Sequence, residues 1–158
     1  MIEQLDILIK VAIAAGLGGI IGIEREIAHK PAGMRTHMLV AGLAALIVLV
    51  GEYFIGHVDP DIIRRSGADP TRIIHAVITG ISILGAGTII RGTQGNQVEG
   101  LTTAASILFA GGVGIAAAVN LYVIAAGATL LALIILIVFK LVEKLLGKDK
   151  NNLNPKRE

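Results

Sequence analysis

Five apolar runs of about twenty residues each constrain this chain more than any other feature of its sequence. They cover approximately residues 5–23, 37–55, 73–91, 101–119 and 121–140. A helix needs roughly 20 apolar residues to cross a bilayer core of about 30 Å, and in lipid the backbone must satisfy its own hydrogen bonds. The runs therefore predict an all-α, polytopic transmembrane helix bundle of about five spans. Only Asn120 separates the last two runs, which leaves a tight turn and a longer kinked helix pair both open.

Composition supports a membrane location and excludes several function classes. The 158 residues are 54% hydrophobic and 16% charged, with a mean hydropathy of +0.76. The net charge of +2 is too small to predict a nucleic-acid partner, and the lack of cysteine excludes a thiolate metal site. The histidines lack metal-ligand spacing and the serines lie in no nucleophile motif, so we expect a protein that is not an enzyme and has no certain cofactor.

Charge in the loops predicts the orientation of the bundle. With the N-terminus outside, ten lysines and arginines flank the cytoplasmic side and three flank the outer side. Cytoplasmic loops accumulate positive charge, so this count predicts a cytoplasmic C-terminus. The polar segment GKDKNNLNPKRE is too short to bury anything. We therefore divide the chain into a transmembrane domain, 1–146, and a disordered cytoplasmic tail, 147–158.

Glycines predict how the spans pack. They concentrate at 16–22, 80–87 and 109–114, within the first, third and fourth spans. Small residues let helix backbones approach closely in a membrane, so these three spans are expected to form the packed centre. Unwinding of a helix around a binding site is the alternative role of these glycines. The bulky fifth span is expected to face lipid or a second copy of the chain.

Ionisable residues within the spans are costly in lipid and mark two candidate sites. The outer polar group is Lys10, Glu52 and His75, which either form a polar pocket or extend to the lipid headgroups. The inner group brings residues from four span ends to one membrane face. Its members are Glu24, Arg25, Glu26, Arg35, His37, Arg91, Glu99, Thr102 and Thr103.

Several contacts within the inner group can be predicted. Pro31 and Gly33 break the connection between the first two spans, which is expected to bring Arg35 towards Glu24. Because Glu24 and Arg25 are adjacent on a helix, at most one of them can point fully into the bundle without help from the loop. Glu26 and Lys30 are spaced as a helical ion pair.

The loop after the third span leaves the identity of a ligand open. Thr102 or Thr103 can cap the helix that follows, and its N-terminus near Arg91 can hold Glu24 or an anion. Alternatively, Glu24 and Glu99 are candidate ligands of Mg²⁺, which prefers oxygen. No Gly-Lys-Ser or Gly-Lys-Thr follows the loop glycines, which argues against nucleotide binding.

Four blocks of the chain resemble, in order, those of the MgtC/SapB family of bacterial and archaeal inner-membrane proteins. The blocks are GIERE at 22–26, KPAGMRTHMLV at 30–40, LGAG at 84–87 and VEGLTTAA at 98–105. The resemblance spans roughly residues 5–140 and adds Thr36, Gly85 and Gly87 to the candidate functional motif. Leu108 departs from the family's frequent aromatic residue after the last block. Many members also carry a cytoplasmic C-terminal domain, so the chain is expected to be nearer the single-domain members.

The resemblance implies a link to magnesium limitation and action mainly as a modulator of other membrane machinery. Magnesium P-type ATPases and the F-type ATP synthase are the partners that it suggests. The alternative function is a transporter or channel for magnesium or another ion, with the outer polar group and the inner carboxylates as its two mouths. A structural assembly subunit is a third hypothesis, and contact with lipid and homo-oligomerisation are expected of a bundle of this size.

Overall fold

The chain folds into a bundle of helices with a small hairpin at one end. The computed structural model describes residues 2–59, 61, 69, 71–91 and 98–152, with the backbone alone at 2, 90, 91, 98, 139, 140 and 143–152. The elements are α1 (Ile2–Ile27), α2 (Met34–Gly56), α3 (Thr71–Ala86), β1 (Ile90–Arg91), β2 (Val98–Glu99), α4 (Leu101–Ala118) and α5 (Tyr122–Asn152). In the described residues α1, α2 and α4 are long and apolar enough to cross a membrane, and α3 and the 122–138 part of α5 are shorter apolar helices. The predicted all-α bundle is confirmed.

Helices α1, α2 and α4 form the centre of the bundle, while α3 packs mainly on α4 and α5 packs on α4 and α1. The prediction for the centre was correct for the first and fourth spans and wrong for the third. Helix α2 occupies that place because its buried alanines, Ala41, Ala44 and Ala45, are nearly as small as glycine. Gly80 of α3 instead faces open space.

The contact between α1 and α2 depends on glycines that allow the two backbones to touch. A Cβ atom at Gly18 would lie 2.5 Å from the carbonyl oxygen of His37, and one at Gly22 would lie 2.5 Å from Cα of Met34. Gly114 of α4 meets the backbone of Ala41 in the same way. At these three points no side chain separates the helices, so their backbones make dispersion contacts directly.

The third helix ends five residues before the predicted limit of the third span. Thr88 donates a hydrogen bond of 2.7 Å to the carbonyl oxygen of Gly85, which closes the last turn, and the chain enters an antiparallel hairpin. In its register Ile90 lies opposite Glu99 and Arg91 lies opposite Val98.

Gly100 connects the hairpin to α4 in a conformation that requires glycine. Its φ is +88°, and a Cβ atom there would collide with the carbonyl oxygen of Thr88. Gly100 is the N-cap of α4 and no side chain caps this end. The predicted capping by Thr102 or Thr103 is therefore wrong, because the helix starts too early for either residue to occupy the N-cap.

A tight turn joins α4 to α5, which resolves the alternative left open at Asn120. Asn120 has a φ of +62°, and the backbone N–H of Leu121 bonds the carbonyl oxygen of Ala116 over 2.9 Å. Helix α5 then continues to Asn152, so residues 147–152 are helical where the sequence predicts a tail. No proline lies between Pro70 and Pro155, which permits this extension of α5. The rest of the predicted tail, 153–158, lies outside the described residues.

The start of α3 is held by a carboxylate that precedes the helix. The backbone N–H of Thr71 donates to the Asp69 carboxylate over 2.9 Å, and this hydrogen bond lowers the pKa of Asp69.

The bundle has two ends, each named here after one residue of α1. The Arg25 end holds the last turns of α1 and α3 and the first turns of α2 and α4. The Lys10 end, opposite, holds the first turns of α1, α3 and α5 and the last turns of α2 and α4.

Candidate functional site

Arg25 turns from the last turn of α1 into the interior of the bundle. Its side chain is only 4% exposed, and its Nη2 donates a hydrogen bond of 2.9 Å to Oγ1 of Thr103 on α4. Glu24, the preceding residue, is half-buried. The prediction that at most one of these two residues points fully inward is confirmed. A buried, charge-assisted hydrogen bond therefore joins α1 to α4.

His37, in the first turn of α2, is completely buried and joins two elements. Its Nδ1 lies 2.8 Å from the carbonyl oxygen of Gly33, and its Nε2 lies 3.0 Å from Oγ of Ser106 on α4. Ser106 in turn lies 2.9 Å from the carbonyl oxygen of Thr103 and is placed to donate to it. We call Arg25, His37, Thr103 and Ser106 the buried polar network, since together they link α1, α2 and α4.

Helix geometry and one glycine assemble this network. Thr103 and Ser106 are three residues apart and so lie on the same face of α4. A Cβ atom at Gly22 would lie 3.0 Å from Cβ of His37, so the absence of a side chain there lets α2 begin directly beside α1. The network therefore depends on a small residue as much as on its polar members.

The reversal between α1 and α2 is held by hydrogen bonds different from those predicted. Glu26 accepts a hydrogen bond of 2.9 Å from the backbone N–H of Met34 and so caps α2, instead of pairing with Lys30. The backbone N–H of Lys30 closes the end of α1 on the carbonyl oxygen of Arg25 over 3.0 Å. Capping a backbone N–H that has no partner within the helix stabilises the structure more than an exposed ion pair with Lys30 would.

Two buried polar atoms at this end have no hydrogen-bond partner within the part of the chain that the structure describes. They are Oε2 of Glu24 and Nε of Arg25. The side chain of Arg35 is exposed and forms no ion pair with Glu24, so the predicted meeting of these two described residues does not occur. A buried acceptor and a buried donor left unpaired are positions where water or a polar ligand can bind.

The remaining motif residues are distributed around the Arg25 end. Gly85 is buried against Ala104, and Gly87 lies in the turn after α3. Thr36 is half-buried, whereas Thr102 and Glu99 are exposed. Arg91 is on β1, and its side chain lies outside the described residues.

Glu24 and Glu99, the candidate ligands of Mg²⁺, are not part of a larger group of metal-binding side chains among the described residues. In the described ranges, no group of three or more His, Asp or Glu side chains converges to hold a metal ion. Coordination of Mg²⁺ by Glu24 and Glu99 stays a prediction.

The outer polar group does not assemble into one site in the described structure. Lys10 forms an ion pair of 2.9 Å with Asp6, one turn earlier on α1. Glu52 lies at the rim of a small pocket whose other lining residues are apolar, and His75 is exposed on α3. Among the described residues, no hydrogen bond or ion pair joins Lys10, Glu52 and His75 to one another.

Sequence reasoning missed the contact between His37 and Ser106. The signal available was the three hydroxyl residues of α4, since Thr102 and Thr103 are four and three residues from Ser106 and the rest of the helix is apolar or glycine. Buried hydroxyl groups require partners, and His37 is at the start of a neighbouring span.

Comparisons with known proteins identify the family of the chain. The MgtC family profile matches residues 11–145. "Putative magnesium transporter YhiD" of Escherichia coli (strain K12) is 34% identical over 145 residues, which cover 91% of this chain and 66% of that protein. Protein SapB of Bacillus subtilis (strain 168) is 33% identical over 145 residues, covering 92% of this chain and 61% of SapB.

Protein MgtC of Brucella abortus (strain 2308) is 34% identical over 137 residues, which cover 81% of this chain and 52% of that protein. The chain thus spans between half and two thirds of the length of these relatives. No solved structure matches it. With a profile that covers most of the chain, and apolar helices of membrane-spanning length, this membrane protein belongs to the MgtC family.

Proposed function

We propose that this protein serves magnesium homeostasis as a multi-pass protein of the bacterial or archaeal inner membrane, and that it acts as a non-enzymatic modulator of partner membrane machinery. Its N-terminus lies outside and its C-terminus in the cytoplasm, as the loop charges predict. The names of the YhiD relative, which mentions magnesium, and of MgtC support the physiological role.

The close packing of α1, α2 and α4 is the observation that carries the modulator role. Their backbones touch at Gly18, Gly22 and Gly114, and apart from His37, which lies beside Gly18 and Gly22, the core residues packed around the three helices are apolar. An ion path through the centre would have to separate these helices. A protein with such a centre is suited to act through its outer surface, by lateral contact within the membrane.

The distribution of polar side chains supports the same conclusion. At the Arg25 end they bond to one another across helices instead of lining a passage. A groove of about 470 Å³ between α3, α4 and α5 is lined by apolar residues such as Ile81, Leu108 and Ile124. Such a surface offers nothing to replace the tightly held hydration shell of Mg²⁺.

The partners follow from the family resemblance. Magnesium P-type ATPases and the F-type ATP synthase are the machinery on which we propose the protein acts. The exposed apolar residues of α5, including Val123, Ile124 and Leu130, contact lipid or a second copy of the chain.

Reconstitution into liposomes tests the modulator role. Purified protein is placed in vesicles loaded with a magnesium-sensitive dye, and Mg²⁺ entry is compared with that of protein-free vesicles. We expect equal rates for the wild type and for Glu24→Gln, Glu99→Gln and the exposed control Glu3→Gln. Entry that Glu24→Gln or Glu99→Gln abolishes and Glu3→Gln preserves would overturn the modulator role.

Transport of magnesium or another ion is the alternative function, and the unpaired Oε2 of Glu24 and Nε of Arg25 favour it. The liposome experiment distinguishes this alternative from modulation.

Cross-linking in native membranes distinguishes modulation from a purely structural assembly role. A modulator is expected to form a cross-linked adduct with another membrane protein, and the amount of this adduct should change between low and high magnesium. An adduct that does not change with magnesium would favour the assembly role.

A further inference from the structure

The ring of His37 lies between a carbonyl oxygen, which can only accept a hydrogen bond, and a hydroxyl group, which can either donate or accept one. Its Nδ1 faces the carbonyl oxygen of Gly33 over 2.8 Å, and its Nε2 faces Oγ of Ser106 over 3.0 Å. A carbonyl oxygen can only accept, so Nδ1 carries a hydrogen in either charge state of the ring. The charge of His37 therefore depends on whether Nε2 also carries one.

Ser106 has one hydroxyl hydrogen and two acceptors within reach. It can donate to the carbonyl oxygen of Thr103, 2.9 Å away, or to Nε2 of His37. When the ring is neutral, Ser106 must donate to Nε2. When the ring is protonated, Nε2–H donates to Ser106, which then donates to Thr103. Both arrangements use the same heavy-atom positions and differ by one proton.

We propose that His37 and Ser106 form a buried proton switch, in which the charge of the imidazole controls how tightly α1, α2 and α4 pack at the Arg25 end. The switch goes beyond the proposed modulator function and exists whether the protein modulates a partner or transports an ion. It uses a histidine because this side chain changes charge near physiological pH.

Charged groups around His37 determine the direction of the switch. Helix α1 contributes Arg25, which acts on the ring electrostatically, and Glu24, which acts on Arg25. Helix α4 contributes no titratable residue, and on α2 itself the nearest charged side chain, Arg35, is exposed. The other carboxylate near this turn, that of Glu26, is exposed and accepts the backbone N–H of Met34. An added proton therefore places a second buried positive charge near Arg25.

Acidification is expected to loosen the packing at this end. The protonated ring gains one hydrogen bond through Ser106 and Thr103, but two cations repel each other strongly where water is excluded. The stability that the neutral ring contributes is therefore present near neutral pH and is lost as the pH falls. Since Gly22 holds α2 directly against α1, a small separation there affects both helices.

Nitrogen NMR of the histidine side chains in the whole protein, in detergent micelles, tests the proton assignment without any mutation. Near neutral pH the resonances of His37 should report a neutral ring with the hydrogen on Nδ1, and at about pH 5 they should report an imidazolium. His37→Gln identifies which resonances belong to this residue. A neutral ring with its hydrogen on Nε2, or no change of charge down to about pH 4, would overturn the switch.

Thermal unfolding tests the consequence for packing. Between about pH 7.5 and about pH 5 the Tm of the wild type should fall by about 3 °C more than that of His37→Gln. His75→Gln is the matched control, because it removes an exposed histidine and should retain the wild-type pH profile. Ser106→Ala keeps the histidine and should retain a pH-dependent Tm with a displaced midpoint. Identical profiles for wild type and His37→Gln would contradict the proposal.

Discussion

The two ends of the bundle handle charge in opposite ways. At the Arg25 end, an arginine and a histidine are drawn between three helices and bonded to hydroxyl groups of α4. At the Lys10 end, a lysine pairs with an aspartate one turn away on the same helix, and that aspartate is 58% exposed. The first arrangement ties helices together, whereas the second involves a single helix.

This difference indicates where a change in one residue can reach the rest of the bundle. Buried hydrogen bonds between elements are costly to leave half-made, while exposed ion pairs contribute little. Perturbation at the Arg25 end should therefore affect α1, α2 and α4 together. Perturbation at the Lys10 end should remain local.

The largest expected effect comes from forcing α2 away from α1 at the Arg25 end. In Gly22→Ala the new Cβ would meet Cα of Met34 at 2.5 Å, which is backbone and cannot rotate aside. We expect the free energy of unfolding, measured in micelles, to fall by about 3 kcal/mol.

Gly16→Ala is the matched control on the same helix. A Cβ atom at Gly16 would have nothing within 4 Å, so this substitution gains helix propensity and should stabilise the protein by up to about 1 kcal/mol. Equal effects of the two substitutions would mean that α1 and α2 separate at little cost, and the contrast between the ends would fail.

A smaller effect is expected from removing the acceptor of Arg25. Thr103→Val keeps the shape of a side chain that is 2% exposed, but it leaves a buried guanidinium nitrogen without its partner. The free energy of unfolding should fall by about 2 kcal/mol. The neighbouring exposed residue supplies the control, since Thr102→Val should change stability by less than about 0.5 kcal/mol. A Thr103→Val protein as stable as the control would show that water replaces the hydroxyl group at no cost.

The pair of threonines also shows how far sequence reasoning reaches. Apolar runs predicted the helices because inside lipid few other structures are possible. The ends of the predicted spans placed Arg25 and Thr103 at the same membrane face, and adjacency predicted that at most one of Glu24 and Arg25 points fully inward without help from the loop. The rotation of α4 about its own axis depends on packing with α2, so no local pattern indicated that Thr103 is buried and Thr102 is exposed.

Two other differences have equally physical causes. The prediction placed the third span in the centre because it counted glycines, yet buried alanines such as Ala41 serve the same purpose on α2. The third span was also extended to Arg91, since Ile89 and Ile90 suit a helix and a strand equally well. The pairing of Ile90 with Glu99 depends on Gly100, whose left-handed conformation becomes necessary only when Thr88 packs against it.

The smallest expected effect is at the Lys10 end, where a double-mutant cycle isolates the ion pair. Asp6→Asn, Lys10→Gln and the double variant should give a coupling free energy of about 0.5 kcal/mol, because the carboxylate is exposed and the pair is four residues apart on one helix. High salt should reduce this coupling further. A coupling above about 1.5 kcal/mol would mean that Lys10 is held as firmly as Arg25. In that case the two ends would differ in which elements their polar residues join, but not in how strongly those residues are held.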